Sequence, residues 1–454
     1  MTREILDVRI ECVDGVAGAL VREDGQLGFA YRPAYLAAPG ALPFSVRLPL
    51  RDGSFDARTT RDFFANLLPE GRLLDQKARR LDLEPDDVFG LLRHFGAETA
   101  GALSALPVDS PPVKRPGRFP DDYRPIPDEE LRALVADLER GRTVCLEGAA
   151  DPSLAGVQMK VTLLVAADGS LHAPVGTAPT THILKVADPA MPGLVENEHF
   201  CMRLAGLVGL ETAETEVRPV GSSRVLLVRR YDRRIVEAGA EVTMVRPGAV
   251  VHRLHQEDFA QAMGVPSGAK YSHRGGPSFE ATVRSLGVFA SDRLEFRRRM
   301  IDALLFAAVI GNWDAHLKNF SFLHLPAAEG GVRLAPLYDL LSVRLYPRFR
   351  QGLALSVGDR QDHGTVDGTA WLAFRKEVGL NAAYLRDRAR VLLPAIAREA
   401  AALREMSGFT AFYAGEILKV IGDEGRALAD ALGFRFDAGF PPFISRGGGW
   451  QQPS

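Results

Sequence analysis

The stretch GNWDAHLKNFSFLHLPAAEGGVRLAPLYD, residues 311–339, decides how this chain is read. Asp314 is followed five positions later by Asn319, and Tyr338-Asp339 closes the stretch. An Asp that orients a hydroxyl, an Asn five residues on and a second Asp beyond a hairpin form a layout used for phosphoryl transfer. In that layout the Asn and the second Asp hold Mg²⁺ against phosphates. The chain has only five Asn, and Asn312 and Asn319 both fall here, which marks the segment off from its surroundings. A helix-to-strand loop with Asx turns would also explain an isolated Asp-x4-Asn. The choice between the two depends on whether a lysine, a phosphate loop and a hinge precede it in order.

Composition sets outer bounds. At 454 residues the chain exceeds what one core serves, so two to four structural units are expected. Hydrophobic residues make up 46% and charged residues 25%, as in ordinary globular proteins. A formal net charge of −2 argues against nonspecific nucleic-acid binding as the main role. Three widely spaced cysteines, Cys12, Cys145 and Cys201, cannot form a disulfide framework, and no Cys-x-x-Cys suggests zinc. The opening MTREILDVRI lacks the apolar core of a signal peptide, and the apolar run 303–310 is short of a membrane span. A soluble cytoplasmic protein with no membrane partner is expected.

Working outward from the central stretch, the N-terminal residues alternate in the manner of strands. Asp14-Gly15 and Asp24-Gly25 predict hairpins in a small antiparallel meander. Helical spacing follows in Phe63, Phe64, Leu67, Leu68 and again in Val88, Leu91, Leu92, Phe95. Residues 107–127 hold seven prolines and read as a linker, and a helix is predicted over 128–140. Strands are predicted at 160–166, 181–187, 214–220 and 223–229, with a helix over 195–208. Beyond 257 helices dominate, notably 293–310, where Phe296, Met300, Leu304 and Ala308 share one face. The run Arg297-Arg298-Arg299 reads as a solvated helix surface. The tail RGGGWQQPS is expected to be disordered.

The parts a phosphotransferase needs can then be sought in order. In the strand THILKV, Lys185 interrupts an apolar run; it is either a solvated edge residue or an ammonium aimed at phosphates. The second role calls for an acidic partner on a neighbouring helix. Glu198 is preferred, with Glu196 close behind, although acids at a helix start also suit the helix dipole. Upstream, SLAGVQMK (153–160) has small residues whose amides could approach phosphate oxygens, Ser153, Ala155 and Gly156 among them. Downstream, VLLVRRYDRR (225–234) is either a lobe-connecting strand whose backbone at Arg229, Arg230 and Tyr231 faces adenine, or a buried strand ending in a charged turn. Loop, lysine, glutamate, hinge, Asp, Asn and Asp then follow in the kinase order, which the bland readings have no reason to produce. His252, His255 and His316 lack the further ligands of a tetrahedral metal site and read as structural.

These same segments resemble the HipA family, the serine/threonine kinase toxins of type II toxin–antitoxin modules. The resemblance rests on S-x-A-G-x-Q-x-K at 153–160, THILK, ENE at 196–198, LLVRRYDRR, QEDFAQAMGVPSGAKY with GGPSF after it, D-x-H-x-K-N-F-S at 314–321 and the YD at 338–339. FFANLLPEGRLLDQKARR (63–80) and GAETAGALSALP (96–107) resemble that family's N-terminal subdomain. The resemblance implies an α+β, two-lobed protein-kinase-like fold with a β-rich N-terminal lobe, an extra N-terminal subdomain and an all-α C-terminal lobe. The expected divisions are 1–107, a linker and helix at 108–142, an N-lobe at 143–231, a C-lobe at 232–445 and a tail at 446–454. It implies ATP and Mg²⁺ as cofactors, Asp314 as catalytic base, Asn319 and Asp339 as metal ligands, Lys185 on the ATP phosphates and Tyr338 beside the nucleotide. It further implies autophosphorylation of Ser153 as an off-switch, since phosphate on a loop that cradles phosphates would repel the nucleotide. The implied substrate is an aminoacyl-tRNA synthetase, chiefly the glutamyl enzyme. The implied partner is a small helix-turn-helix antitoxin (HipB-like), which carries the complex to operator DNA. Where that family has an acidic hinge residue, this chain has Arg229. A small-molecule kinase of the same superfamily, and a catalytically idle co-repressor, are the alternatives.

Overall fold

The computed structural model describes residues 3–444 except 143, 145, 147, 149–158, 189, 347–351, 382 and 407–410. The chain forms two compact units. The first comprises Met1–Leu184, Arg230–Ser267 and Ser321–Arg333; the second comprises Lys185–Arg229, Gly268–Phe320 and Leu334–Ser454. The tail 446–454 lies outside the described residues.

The first unit begins with a five-stranded antiparallel sheet in which Ser54–Phe55, Gln26–Tyr31, Val13–Glu23, Arg3–Ile10 and Leu103–Pro107 follow one another across the sheet. The expected turn at Asp24-Gly25 forms: both residues have positive φ, and Glu23 pairs with Gln26. The other turn falls at residues 11–12, because Ile10 pairs with Val13. Asp14-Gly15 lies instead inside the second strand, where the register shifts and Gly15 adopts φ +94°. Three helices, Ala57–Ala65, Gly71–Arg80 and Val88–Phe95, accompany the sheet. Phe29, Tyr31, Phe44 and Phe64 stack into its core. The buried Tyr31 hydroxyl donates to Leu48 O (2.6 Å) and accepts from Phe44 N–H (2.8 Å), so the one polar atom in this cluster is satisfied.

The proline-rich stretch is more ordered than a linker. Gly117–Arg118 joins a four-stranded sheet with Val250–Arg253, Arg233–Glu237 and Ala240–Val242, and Tyr123–Pro125 pairs with Leu171–Pro174. A helix follows at Asp128–Glu139, as expected. A further three-stranded sheet places Ser321–His324 between His255–Asp258 and Val332–Leu334. The strands at 233–258, 321–334 and 352–362 overturn the expectation of an all-α C-lobe over 232–445; at three to six residues each, they are too short for alternation to stand out in the sequence. Arg253 is the charged centre of the first unit, 1% exposed, at 2.7 Å from Glu11 and 3.2 Å from Glu98.

The second unit is built around the helix Arg293–Ile310, which packs against Tyr384–Arg404 and Ala411–Ala431. From Met300 on it is buried almost all round, not on the single expected face, and Ala308 is only half-buried. The helix stops at Gly311, whose amide returns to Ala307 O and Ala308 O at φ +67°. A Cβ there would come within 3.0 Å of Arg344 and 3.1 Å of Val420, so the turn into the central stretch excludes other residues on two grounds. Helix Leu194–Leu207 and the hairpin Thr215–Val220/Ser223–Arg229 complete the parts that matter below.

Arg253→Met should lower the urea midpoint of unfolding by the equivalent of about 3–5 kcal/mol, because it strands two carboxylates in a buried setting. Unfolding monitored by circular dichroism reads the change; an unaltered midpoint would show that the cluster carries no net stabilisation.

Candidate active site

Lys185 is the last residue of the strand His182–Lys185 and is 8% exposed. Its Nζ donates to Glu198 Oε1 at 2.7 Å and to Asp339 Oδ1 at 2.8 Å. Burial alone would lower the ammonium's pKa, yet the carboxylates of Asp339 and Glu198 outweigh it and raise the value above the usual lysine range. Glu198 stands on the helix Leu194–Leu207 and is fully buried. Glu196, the other acid considered, turns to Arg224 at 3.1 Å. Geometry thus pairs the lysine with Glu198.

Two residues that no motif assigned hold this arrangement in place. Asn197, wholly buried, donates from Nδ2 to Ser342 O (2.9 Å), and its Oδ1 accepts from Ser342 N–H (2.8 Å). The helix bearing Glu198 is therefore tied by a reciprocal pair to the segment just past Asp339. Arg299 donates to Leu334 O (2.8 Å) and Ala335 O (3.0 Å) and meets Glu211 at 3.0 Å. Arg297 and Arg298 are solvated as expected, but Arg299 is not; it clamps the approach to Tyr338. Leu337 adds backbone bonds to Glu211 and Ala213. Between these ties Asp339 adopts φ +58°, an uncommon conformation for a residue with a side chain.

Asp314 follows the helix stop at Gly311 by three residues and is half-buried. Its carboxyl titrates at about 6, raised first by burial and then by the like charge of Asp339. The Tyr271 hydroxyl, hydrogen-bonded to it, and the charge of Lys270 pull the other way without prevailing. Tyr271 and Lys270 were quoted only as part of GAKY, with no role; Tyr271 also meets the His316 ring edge-on at 5.1 Å. Asn319 ends the short turn Leu317–Asn319 and donates from Nδ2 to Asp314 O at 3.3 Å. Tyr338 donates its hydroxyl to Lys318 O at 2.8 Å, joining the two ends of the central stretch. Lys185, Glu198, Asp314, Asn319, Tyr338 and Asp339 all belong to the second unit.

The remaining expectations divide. Arg229 ends its strand and pairs with Glu214 at 2.9 Å. Arg230 and Tyr231 belong to the first unit. There Arg230 grips Asp232 at 2.9 and 3.0 Å, Arg233 meets the same carboxylate at 2.8 Å, and the Tyr231 hydroxyl bonds Gln256. The basic cluster folds inward on Asp232 and does not form an exposed turn. Ser153, Ala155 and Gly156 lie outside the described residues. His255 bonds Phe44 O at 2.9 Å and His316 packs on Tyr271, both structural uses. Among the described residues no group of three or more His, Cys, Asp or Glu gathers as a metal cage, and no helix is long and apolar enough to cross a membrane.

The Lys185 ammonium thus lies between two carboxylates, and comparison with known proteins gives the chain a family. The model of the HipA-like C-terminal domain matches residues 152–402, and that of the HipA N-terminal domain matches residues 8–106. The chain belongs to the HipA family. Y4mE of Sinorhizobium fredii, described as a candidate kinase, is 40% identical over 384 residues, covering 84% of this chain and 87% of that protein. The serine/threonine-protein kinase toxin HipA of Shewanella oneidensis is 31% identical over 350 residues, 74% of this chain and 75% of that one. HipA from the Shewanella oneidensis complex with HipB and operator DNA superposes with a TM-score of 0.75 at 27% identity, covering 94% of this chain and 98% of that one. The α+β, kinase-like fold expected for the HipA family is thereby found.

Because Asp314 titrates above the roughly 3.9 of an unfolded aspartate, the folded chain holds its extra proton between those values. Stability from this group is therefore present below pH 4 and lost as pH rises through about 6. In metal-free protein Asp314→Asn should raise stability at pH 7.5 by on the order of 2–3 kcal/mol, the gain shrinking toward pH 4. Urea titrations at both pH values check this; an equal gain at both would remove the titration as its cause.

Proposed function

We propose that this chain is an ATP- and Mg²⁺-dependent serine/threonine protein kinase of the HipA toxin type. The observation that carries the reading is Lys185 held between Glu198 and Asp339 at 2.7 and 2.8 Å, on elements that Asn197 and Arg299 lock. A strand lysine fixed by a helix glutamate is what positioning of nucleotide phosphates requires. With ATP bound, Lys185 would turn part of its donor capacity from Asp339 to phosphate oxygens. Asp314 accepts the proton of the substrate hydroxyl; a carboxyl titrating near 6 is ionised at neutral pH yet more basic than an ordinary aspartate.

Mg²⁺ fits the donor set. Asn319 offers an amide oxygen and Asp339 a carboxylate, hard oxygen ligands of the kind that Mg²⁺ accepts while keeping waters and phosphate oxygens for its other positions. Asn319 and Asp339 would hold it, and it would neutralise charge on the transferring phosphoryl group. Tyr338, anchored on Lys318 O, then stands beside the nucleotide.

The proposed protein target is an aminoacyl-tRNA synthetase, the glutamyl enzyme first, and Ser153 is the proposed site of inhibitory autophosphorylation. A HipB-like antitoxin is the proposed partner, through which the chain reaches operator DNA; the relative whose structure is of HipA with HipB and operator DNA supports this. Purified protein with labelled ATP and Mg²⁺ should incorporate label at Ser153. Asp314→Ala should slow that labelling by about 10²–10⁴-fold, the range for loss of a general base. Equal labelling in the variant, mapped by mass spectrometry, would remove Asp314 from its role.

A further inference from the structure

Behind the loop that carries Asp314 the second unit contains a cavity of about 130 Å³ that the phosphotransfer chemistry does not use. Its walls are mostly apolar: Leu304, Leu355, Trp371 and Leu428 line it beside Trp313. Part of the lining is polar. Asn312 lines it too, 4% exposed, and neither its Oδ1 nor its Nδ2 has a hydrogen-bond partner. The Trp313 Nε1, equally buried, also lacks one. Buried amide and indole groups without partners are costly, and native chains keep few of them without a reason.

Both residues are held where they are by their backbones. Asn312 N–H donates to Ala307 O at 2.8 Å, and Trp313 O accepts from Ala354 N–H at 2.8 Å. The only ionisable side chains on the lining, His363 and Glu424, face each other at 2.6 Å, and Glu424 also bonds Arg344. The Glu424 carboxylate is thus already matched by the Arg344 guanidinium. Exposed Gly364 and Ala427 lie on the lining, so the cavity has a mouth to solvent.

We propose that this cavity binds a small, neutral, planar molecule: an aromatic ring bearing an amide-type edge, whose adjacent donor and acceptor pair with the Asn312 carboxamide. The ring fits the space, since a comparable apolar cavity of about 150 Å³ accepts benzene. A lone water would leave most of the space unfilled, since Leu304, Leu355, Trp371 and Leu428 offer it no hydrogen bond. Carboxamide against carboxamide satisfies both orphaned atoms at once, and Trp313 Nε1 remains for a further acceptor.

Two of the chain's three tryptophans, Trp313 and Trp371, line the cavity, so their fluorescence reports its occupancy once Trp450 is replaced. Full-length Trp450→Phe protein titrated with benzamide, and separately with toluene, should show saturable emission changes for both. Adding Asn312→Leu should weaken benzamide by about ten-fold, the loss of two neutral hydrogen bonds, while toluene binds unchanged. Ala427→Phe, at the mouth, should abolish both responses with the circular dichroism spectrum retained. The proposal is overturned by any of three results: no saturable response to benzamide, equal weakening of both probes by Asn312→Leu, or undiminished binding in Ala427→Phe.

Discussion

One buried ammonium organises the second unit. Taking the charge of Lys185 out of water costs several kcal/mol, and the cost is offset only if its carboxylates stay within hydrogen-bonding distance. Glu198 lies on a helix and Asp339 on a loop more than 140 positions later in the chain. Neither segment holds the other by covalent proximity. The reciprocal bonds of Asn197 with Ser342 and the two carbonyls taken by Arg299 are what keep the two carboxylates on one nitrogen. The left-handed backbone at Asp339 is tolerated for the same reason: the ties on either side leave the residue no other way to reach Lys185.

The first unit contains a similar design put to a different use. Arg253 also sits between two carboxylates, Glu11 and Glu98, but there the cation is 1% exposed and its nearest acid 2%. Around Lys185 the helix acid is equally hidden, whereas the Asp339 side chain is 38% exposed. A closed cluster of this kind has no open side on which to take a ligand. An open one can exchange a partner for a ligand, and that asymmetry separates a structural ion triad from a site.

Much of the site could be read in the sequence because its parts are single residues of unusual type at telling positions. A lysine in an apolar strand, a glutamate on the next helix and the Asp, Asn and Asp of the central stretch needed only order to be recognised. The supporting residues could not be found this way. Asn197 lies inside the quoted ENE and Arg299 inside an arginine run, yet their partners are backbone atoms far along the chain, and backbone atoms leave no mark in the sequence. Tyr271 was missed for a related reason, since its hydroxyl matters only once Asp314 is beside it. Fold elements fared likewise. The helices Asp128–Glu139 and Arg293–Ile310 are long enough for their period to show, whereas strands such as Val332–Leu334 and Gly117–Arg118 are too short for alternation to register. The turn expected at Asp14-Gly15 failed because a positive-φ glycine serves a bulge as well as a hairpin.

The two aspartates of the central stretch differ by environment and not by type, and that difference suits them to the separate roles proposed for them. Asp339 gives its charge to Lys185 and keeps part of its surface open, which suits binding of a cation or of nothing at all. Asp314 is more enclosed, feels Asp339 as a like charge and receives only the Tyr271 hydroxyl and a more distant lysine in return. Two carboxylates whose surroundings are driven apart in this way divide into a charge carrier and a proton acceptor. Had the lysine paired with Asp314 instead, the proposed base would have been held far too acidic to accept a proton, and the same residues in the same order would describe an inert ion cluster. The placement of one nitrogen therefore favours the proposed phosphotransfer reading of residues 311–339 over that of a plain loop.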